Sequence, residues 1–157
     1  MAVRVKLQDL LEAMGFQSDE MTSYLHRPTG RVVIVSDEAI HAAEAGGQDY
    51  YEPHELADAQ GLLANEDDYL PLPDRFEIDE YRMMERFAAG LADPALRDGV
   101  LYALGGGRGV FRRFKDAVHS AGLADEWYAY RDRSYEEVAR AWCEAHGIEL
   151  EPPAADV

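Results

Sequence analysis

A single cysteine, Cys143, stands in this chain of 157 residues. One thiol can make neither an intrachain disulfide nor a cysteine-rich zinc site. It lies beside Trp142 with no basic neighbour to activate it, so a buried, inert thiol is expected. No apolar run approaches the roughly 20 residues of a membrane span. The N-terminus lacks a signal-peptide core. With the lone thiol, these absences set the expectation of a cytoplasmic protein with no membrane association. Metal motifs are missing too. The histidines (His26, His41, His54, His119 and His146) are scattered, and no His-Glu-x-x-His pair or regularly spaced calcium loop occurs. Glu52-Pro53-His54-Glu55 gathers possible ligands, but the proline breaks the helix that would align them. No metal, no cofactor and no catalytic residue is expected.

What the chain has in excess is negative charge, a formal −16 from 31 acids against 15 bases. Residues 36–80 hold 14 acids and a single base, Arg75, a balance of −13. Residues 81–151 hold 12 acids and 10 bases, a balance of −2. Such a field repels nucleic acid and anionic membranes, so non-specific binding to either is disfavoured. A basic protein partner for the 36–80 segment fits it better. Acidic mimicry of nucleic acid is a further reading, and the oligomeric state stays open.

Periodicity divides the chain. Leu7, Leu10, Leu11 and Met14 recur at helical spacing, with Gly15 as a left-handed stop. Strand-forming residues from Met21 to Arg27 and from Arg31 to Ser36 flank Pro28-Thr29-Gly30, a hairpin signal. Ser36 is an N-cap candidate for a helix running to about Ala45 and ended by Gly46-Gly47. Residues 48–75 read as an acidic connector with room for one helix before Asn65, and Leu70-Pro71-Leu72-Pro73 must be extended. Beyond Asp74 the pattern is helical. Ile78, Tyr81, Met84, Ala88 and Leu91 form one stripe. Asp93 caps the next helix with Pro94 at its first position. Val110, Phe111, Phe114 and Val118 face inward on a third. Leu123–Asp132 reads as a short helix, and Ser134 with Glu137 as a capping box for the last one. The expected fold class is α+β: an N-terminal helix and β-hairpin followed by a mainly helical C-terminal half. It is a single domain over residues 1–151 with a frayed tail.

The densest basic stretch is Gly105-Gly106-Gly107-Arg108-Gly109-Val110-Phe111-Arg112-Arg113-Phe114-Lys115. A glycine loop entering a helix can hold an anion on converging N–H groups. However, it lacks the Gly-Lys-Ser/Thr ending of a P-loop and follows no predicted strand. Spacings of four, three and four would put Arg108, Arg112, Lys115 and His119 on one helical face. Internal pairing with Asp116, Asp125 and Glu126 is the favoured use for these bases, and contact with an outside partner the alternative. Just beyond, Trp127, Tyr128, Tyr130, Tyr135 and Trp142 alternate with Arg131 and Arg133. Aromatics at helical spacing point to core, and Tyr128 falls off the stripe. The candidate ligand- or partner-binding residues are therefore Arg108, Arg112, Arg113, Lys115, His119, Tyr128 and Arg131. Two functions follow: a small protein-binding or regulatory module, or a nucleotide- or phosphate-ligand-binding protein, enzymatic or not, built on Gly105–Lys115.

Several runs carry a family resemblance. They are Val5-Lys6-Leu7-Gln8-Asp9-Leu10, Tyr24-Leu25-His26-Arg27-Pro28-Thr29-Gly30-Arg31-Val32-Val33, Tyr69-Leu70-Pro71-Leu72-Pro73 and Tyr81-Arg82-Met83-Met84-Glu85. In the C-terminal half they continue as Gly107-Arg108-Gly109-Val110-Phe111-Arg112-Arg113-Phe114-Lys115-Asp116, Trp127-Tyr128-Ala129-Tyr130-Arg131 and Ala141-Trp142-Cys143. Together they resemble the bacterial Uncharacterised Protein Family 0158 along nearly the whole chain, most specifically in Phe-Arg-Arg-Phe-Lys-Asp. That resemblance implies no reaction and carries over no catalytic residue.

Overall fold

The computed structural model describes residues 3–18, 20–45 and 53–151, the side chains of 53–55 excepted. The Gly46-Gly47 stop, Tyr50, Tyr51, the side chains of the Glu52–Glu55 cluster and the tail beyond Glu151 lie outside the described residues. The fold is α+β, and the chain gathers into two compact units. One is drawn from residues up to Glu77 and from Val138 onward, the other from Ile78–Glu137.

The first unit opens with β1 (Arg4–Val5) and α1 (Leu7–Gly15), followed by the hairpin strands β2 (Met21–His26) and β3 (Arg31–Ser36). Next come α2 (Asp37–Glu44), α3 (Pro53–Ala64) and a short 3-10 turn, Glu66–Asp68. The short strand β4 is Tyr69–Pro71. The hairpin register pairs Met21 with Ser36 and His26 with Arg31. The expected extended proline segment becomes a third strand, antiparallel to β2, with Tyr24 opposite Pro71 and His26 opposite Tyr69. Sheet order is β3-β2-β4. Proline at this edge costs no ladder bond, since an edge strand already leaves half its N–H groups outside the sheet. The segment expected as a connector thus completes the sheet.

Alternation of side chains assigns each face of that sheet a partner. On one face the buried Ser23 hydroxyl donates to the Ala13 carbonyl of α1 at 3.0 Å. On the other, Val33 and Val35 pack with Ala39 of α2 and Ala59 of α3, joined by Tyr24 and Tyr69. Ser36 caps α2 as expected, its hydroxyl accepting from Ala39 N–H at 3.1 Å. The side chain of Arg31 reaches from β3 to Asp58 of α3. Gly15, read as a left-handed stop, is instead the last helical residue. Phe16 closes α1, its N–H donating to Ala13 and Glu12 carbonyls. At the chain's two ends, β1 pairs in parallel with β5 (Glu149–Leu150), Arg4 beside Glu149 and Val5 beside Leu150.

Of the short α4 (Arg75–Ile78), only Ile78 belongs to the second unit. The helices that build that unit are α5 (Glu80–Ala89), α6 (Pro94–Ala103), α7 (Val110–Ser120) and the first part of α8 (Ala124–His146). Asp79 breaks the expected Ile78–Tyr81 stripe. It adopts a left-handed φ of 51° and caps α5 by accepting from Arg82 N–H at 3.2 Å. Helical register restarts there, so Met83, Met84, Phe87 and Ala88 are buried while Tyr81 is partly exposed. Asp93 caps α6 and Pro94 leads it, as the sequence suggests: Oδ1 accepts from Ala95 and Leu96 N–H at 2.8 and 3.2 Å.

The largest departure is α8, one continuous helix of 23 residues rather than two. Ser134 is mid-helix, and its hydroxyl donates to the Tyr130 carbonyl at 2.9 Å. A Ser-x-x-Glu pattern caps a helix only where the chain before it turns away, and nothing between Tyr130 and Ser134 breaks the backbone ladder. Trp127, Tyr135, Trp142 and Cys143 are buried along it. Burial pushes the Cys143 thiol above its ordinary range, against a smaller opposing pull from Arg140. Among the described residues, no helix is long and apolar enough to cross a membrane.

Candidate functional site

The basic stretch divides by role. Gly109, at a left-handed φ of 77°, is the N-cap residue of α7, so Arg108 lies outside the helix and off the face expected for it. Arg113 turns back over the glycine loop. Its Nε donates to the Ala103 carbonyl (3.3 Å), Nη2 to those of Gly105 (2.9 Å) and Gly106 (3.1 Å), and Nη1 to that of Arg108. One guanidinium therefore satisfies an orphan carbonyl at the end of α6 and three more in the loop. The loop folds around a cation of the chain itself. Arg113→Ala is expected to lower stability by about 1.5–2 kcal/mol, toward the low end for bonds to a charged donor because the loop is partly wet. Arg113→Lys should restore less than half, since an ammonium cannot span the fork. Urea denaturation of both variants checks this, and equal stability of all three proteins would contradict it.

Arg108, Arg112 and Lys115 are exposed and make no ion pair with any described residue. Asp116, Asp125 and Glu126, expected to pair with them, form no ion pair with any of the three. Lys115 is the one that meets other candidates.

Three helices each contribute at least two residues one turn apart to a pocket of about 280 Å³. Glu80 and Met84 come from α5, Phe111 and Lys115 from α7, Tyr128 and Arg131 from α8. Phe114 and Trp127 also line it, both nearly fully buried, with ring centroids 4.8 Å apart. Spacings of i,i+3 and i,i+4 are what place such pairs side by side on a helix. At the rim, Phe111 is 47% and Tyr128 41% exposed, and the ring of His119 stands edge-on to Tyr128 at 6.2 Å. One wall is an internal ion pair. Arg131 Nε donates to Glu80 Oε1, Nη2 donates to the Tyr135 hydroxyl at 3.3 Å, and the guanidinium lies 4.4 Å from the Tyr135 ring centre. Burial alone would lower the Arg131 pKa, but the hydrogen bond and charge of Glu80 outweigh it and hold it above its ordinary value. Burial, then the Glu80 charge, raises the Tyr135 phenol, and Arg131 offsets part of that rise. The pair is a fixed feature of the wall, with its charge cancelled within the site.

The structure thus brings Lys115, Tyr128 and Arg131 together, with His119 at the margin. Arg113 is committed to the loop, and Arg108 and Arg112 stand apart from this pocket. Sequence reading missed Glu80 and Phe111 as lining residues. Glu80 is 51 positions from Arg131, and nothing local marks the pairing. Phe111 sits in the apolar stripe of α7 and reads as core.

The first unit holds a different cavity, about 530 Å³, on the α3 side of its sheet. Tyr24, Leu62, Leu63, Tyr69 and Pro71 give it an apolar lining, while Glu66, Asp67 and Arg27 bring charge to it. Tyr24 and Tyr69 meet edge-on with centroids 6.5 Å apart. Burial raises the Tyr24 phenol, and the negative charges of Asp37 and Glu66 raise it further.

No family model, curated protein or solved structure matches the chain. Among the described residues no group of three or more His, Cys, Asp or Glu is placed to hold a metal ion.

Proposed function

We propose that the chain is a small protein-binding or regulatory module whose acidic segment receives a basic partner. The observation that carries this reading is the cavity of the first unit, where apolar and aromatic walls lie beside Glu66 and Asp67. Apolar walls supply affinity once water leaves them, and the surrounding charge of residues 36–80 steers a cationic chain toward them. An amphipathic segment alternating Lys or Arg with Leu or Phe has both features. Leu63, 44% exposed at the cavity, is the contact such a segment would cover.

The alternative reading, a nucleotide or phosphate held at Gly105–Lys115, has less to build on. Its most central cation, Arg113, is occupied by four backbone carbonyls.

The test is fluorescence anisotropy of a labelled Lys/Leu peptide against its Glu/Leu counterpart, across a salt titration. Saturable binding of the basic peptide alone, weakening as salt rises, is the expected result. The double variant Glu66→Lys, Asp67→Lys should bind at least about tenfold more weakly, equivalent to about 1.4 kcal/mol. Equal binding of both peptides, or no response to the double variant, would overturn the proposal.

A further inference from the structure

We propose that the pocket enclosed by α5, α7 and α8 is a second, independent binding site for a small aromatic carboxylate. Size, walls and charge each narrow the ligand. At about 280 Å³ the pocket falls just below the roughly 300–1,000 Å³ of sites that take drug-sized molecules. It has room for one ring with a short acidic arm and not for a nucleotide. Its walls are aromatic where a ring would lie. Trp127 and Phe114 line its depth, and Phe111 and Tyr128 stand half in water at its mouth. Because Phe114 and Trp127 are almost wholly covered already, a flat apolar group would lie against the half-exposed rings of Phe111 and Tyr128, in the offset or edge-on contacts that aromatic rings prefer.

Charge selects the other end of the ligand. Glu80 and Arg131 cancel each other, so Lys115 is the uncompensated charge among the lining residues. The net +1 calls for an anion. A carboxylate can therefore accept from Lys115, the lining cation that no carboxylate of the chain has taken. A phosphate dianion exceeds the pocket's net +1, whereas a carboxylate matches it. The guanidinium held by Glu80 and Tyr135 and the buried rings beneath give the pocket a rigid floor, so ligand entry need order only Phe111, Tyr128 and Lys115.

Phenylacetate is the probe, with cyclohexylacetate lacking the aromatic ring, phenethylamine carrying the opposite charge, and sodium acetate matching the salt. Trp142→Phe leaves Trp127 as the sole tryptophan and makes its fluorescence report on the pocket directly. Isothermal calorimetry on the unaltered chain gives a second readout should that variant fold poorly. A ligand this small is expected to bind with a Kd of about 1 mM. Phenylacetate should give a saturable change, with cyclohexylacetate weaker and phenethylamine and acetate silent. Lys115→Gln should weaken binding about tenfold, Lys115→Arg should largely restore it, and Arg112→Gln, outside the pocket, should leave it unchanged. No saturable signal up to about ten times that Kd, equal binding by Lys115→Gln, or equal binding of phenethylamine would each overturn the proposal.

Discussion

Phe114→Ala is expected to lower the free energy of unfolding by about 3–5 kcal/mol, the usual cost of deleting a fully buried aromatic. Phe114 is 0% exposed. Its ring meets Trp127 at 4.8 Å and Phe87 at 6.4 Å, and Phe87 meets Trp127 at 5.4 Å, all edge-on. The truncation leaves a void bounded by α5, α7 and α8 that large rings cannot easily close. Phe111 provides the control. It lies three residues earlier on the same helix yet is 47% exposed, so Phe111→Ala should cost less than about 1 kcal/mol. Urea denaturation followed by far-UV circular dichroism measures both. Similar losses for the two variants would mean that α7 sits in a different rotation. The same pair bears on the pocket: Phe111→Ala should weaken phenylacetate binding while the fold survives, whereas Phe114→Ala should damage both.

Gly30→Ala is the second large effect, expected at about 2–5 kcal/mol from the sum of two costs. The residue has a left-handed φ of 73°, and a Cβ added to it would collide with the Arg4 carbonyl oxygen. The conformation alone costs an L-residue about 1–2 kcal/mol. Separating the turn from the backbone of Arg4 adds an overpacking cost of about 1–3 kcal/mol. Arg4 must move, so the damage should spread to the β1–β5 pairing. The amide of Glu149, which donates to the Val3 carbonyl at 2.8 Å, and that of Glu151, which donates to Val5 at 2.8 Å, should then exchange faster with solvent. Gly15→Ala is the contrasting case. Gly15 is helical, and an added methyl group there would have nothing within 4 Å of it. Stability should hold or rise by about 0.5–1 kcal/mol. Loss of stability at Gly15, or none at Gly30, would contradict the backbone description.

Some of this architecture was legible because its causes are local. A serine or aspartate ahead of an apolar-periodic run can reach only the N–H groups two or three residues away, so Ser36 and Asp93 cap as expected. Pro-Thr-Gly between two strand-forming runs closes a hairpin between neighbours in the chain. Proline at positions 71 and 73 drives the residue before each, Leu70 and Leu72, out of the helical region, so the segment runs extended wherever it lies. The readings that shifted are ones in which a local pattern has two uses. Ser134-x-x-Glu137 can open a helix or sit inside one, and continuity of the backbone decides. The spacing of Arg108 and Arg112 fits a helical face only if the helix includes Arg108, and it begins at Val110.

The candidate site was half legible for the same reason. Charge and type single out Lys115, Tyr128 and Arg131, but not that they share a pocket, since α7 and α8 must first pack. Arg113 looked like its basic neighbours, and its use on backbone carbonyls depends on where the loop places those oxygens. By itself the sequence determined the charge asymmetry, the hairpin, the caps and the helical second half, all consequences of composition or of bonds spanning a few residues. Tertiary structure alone decided the pairing of β1 with β5 and of β2 with β4, the Glu80–Arg131 contact, and which aromatics line the pocket and which of those stay in water. These join residues far apart in the chain, where side-chain identity permits many partners and only packing selects one.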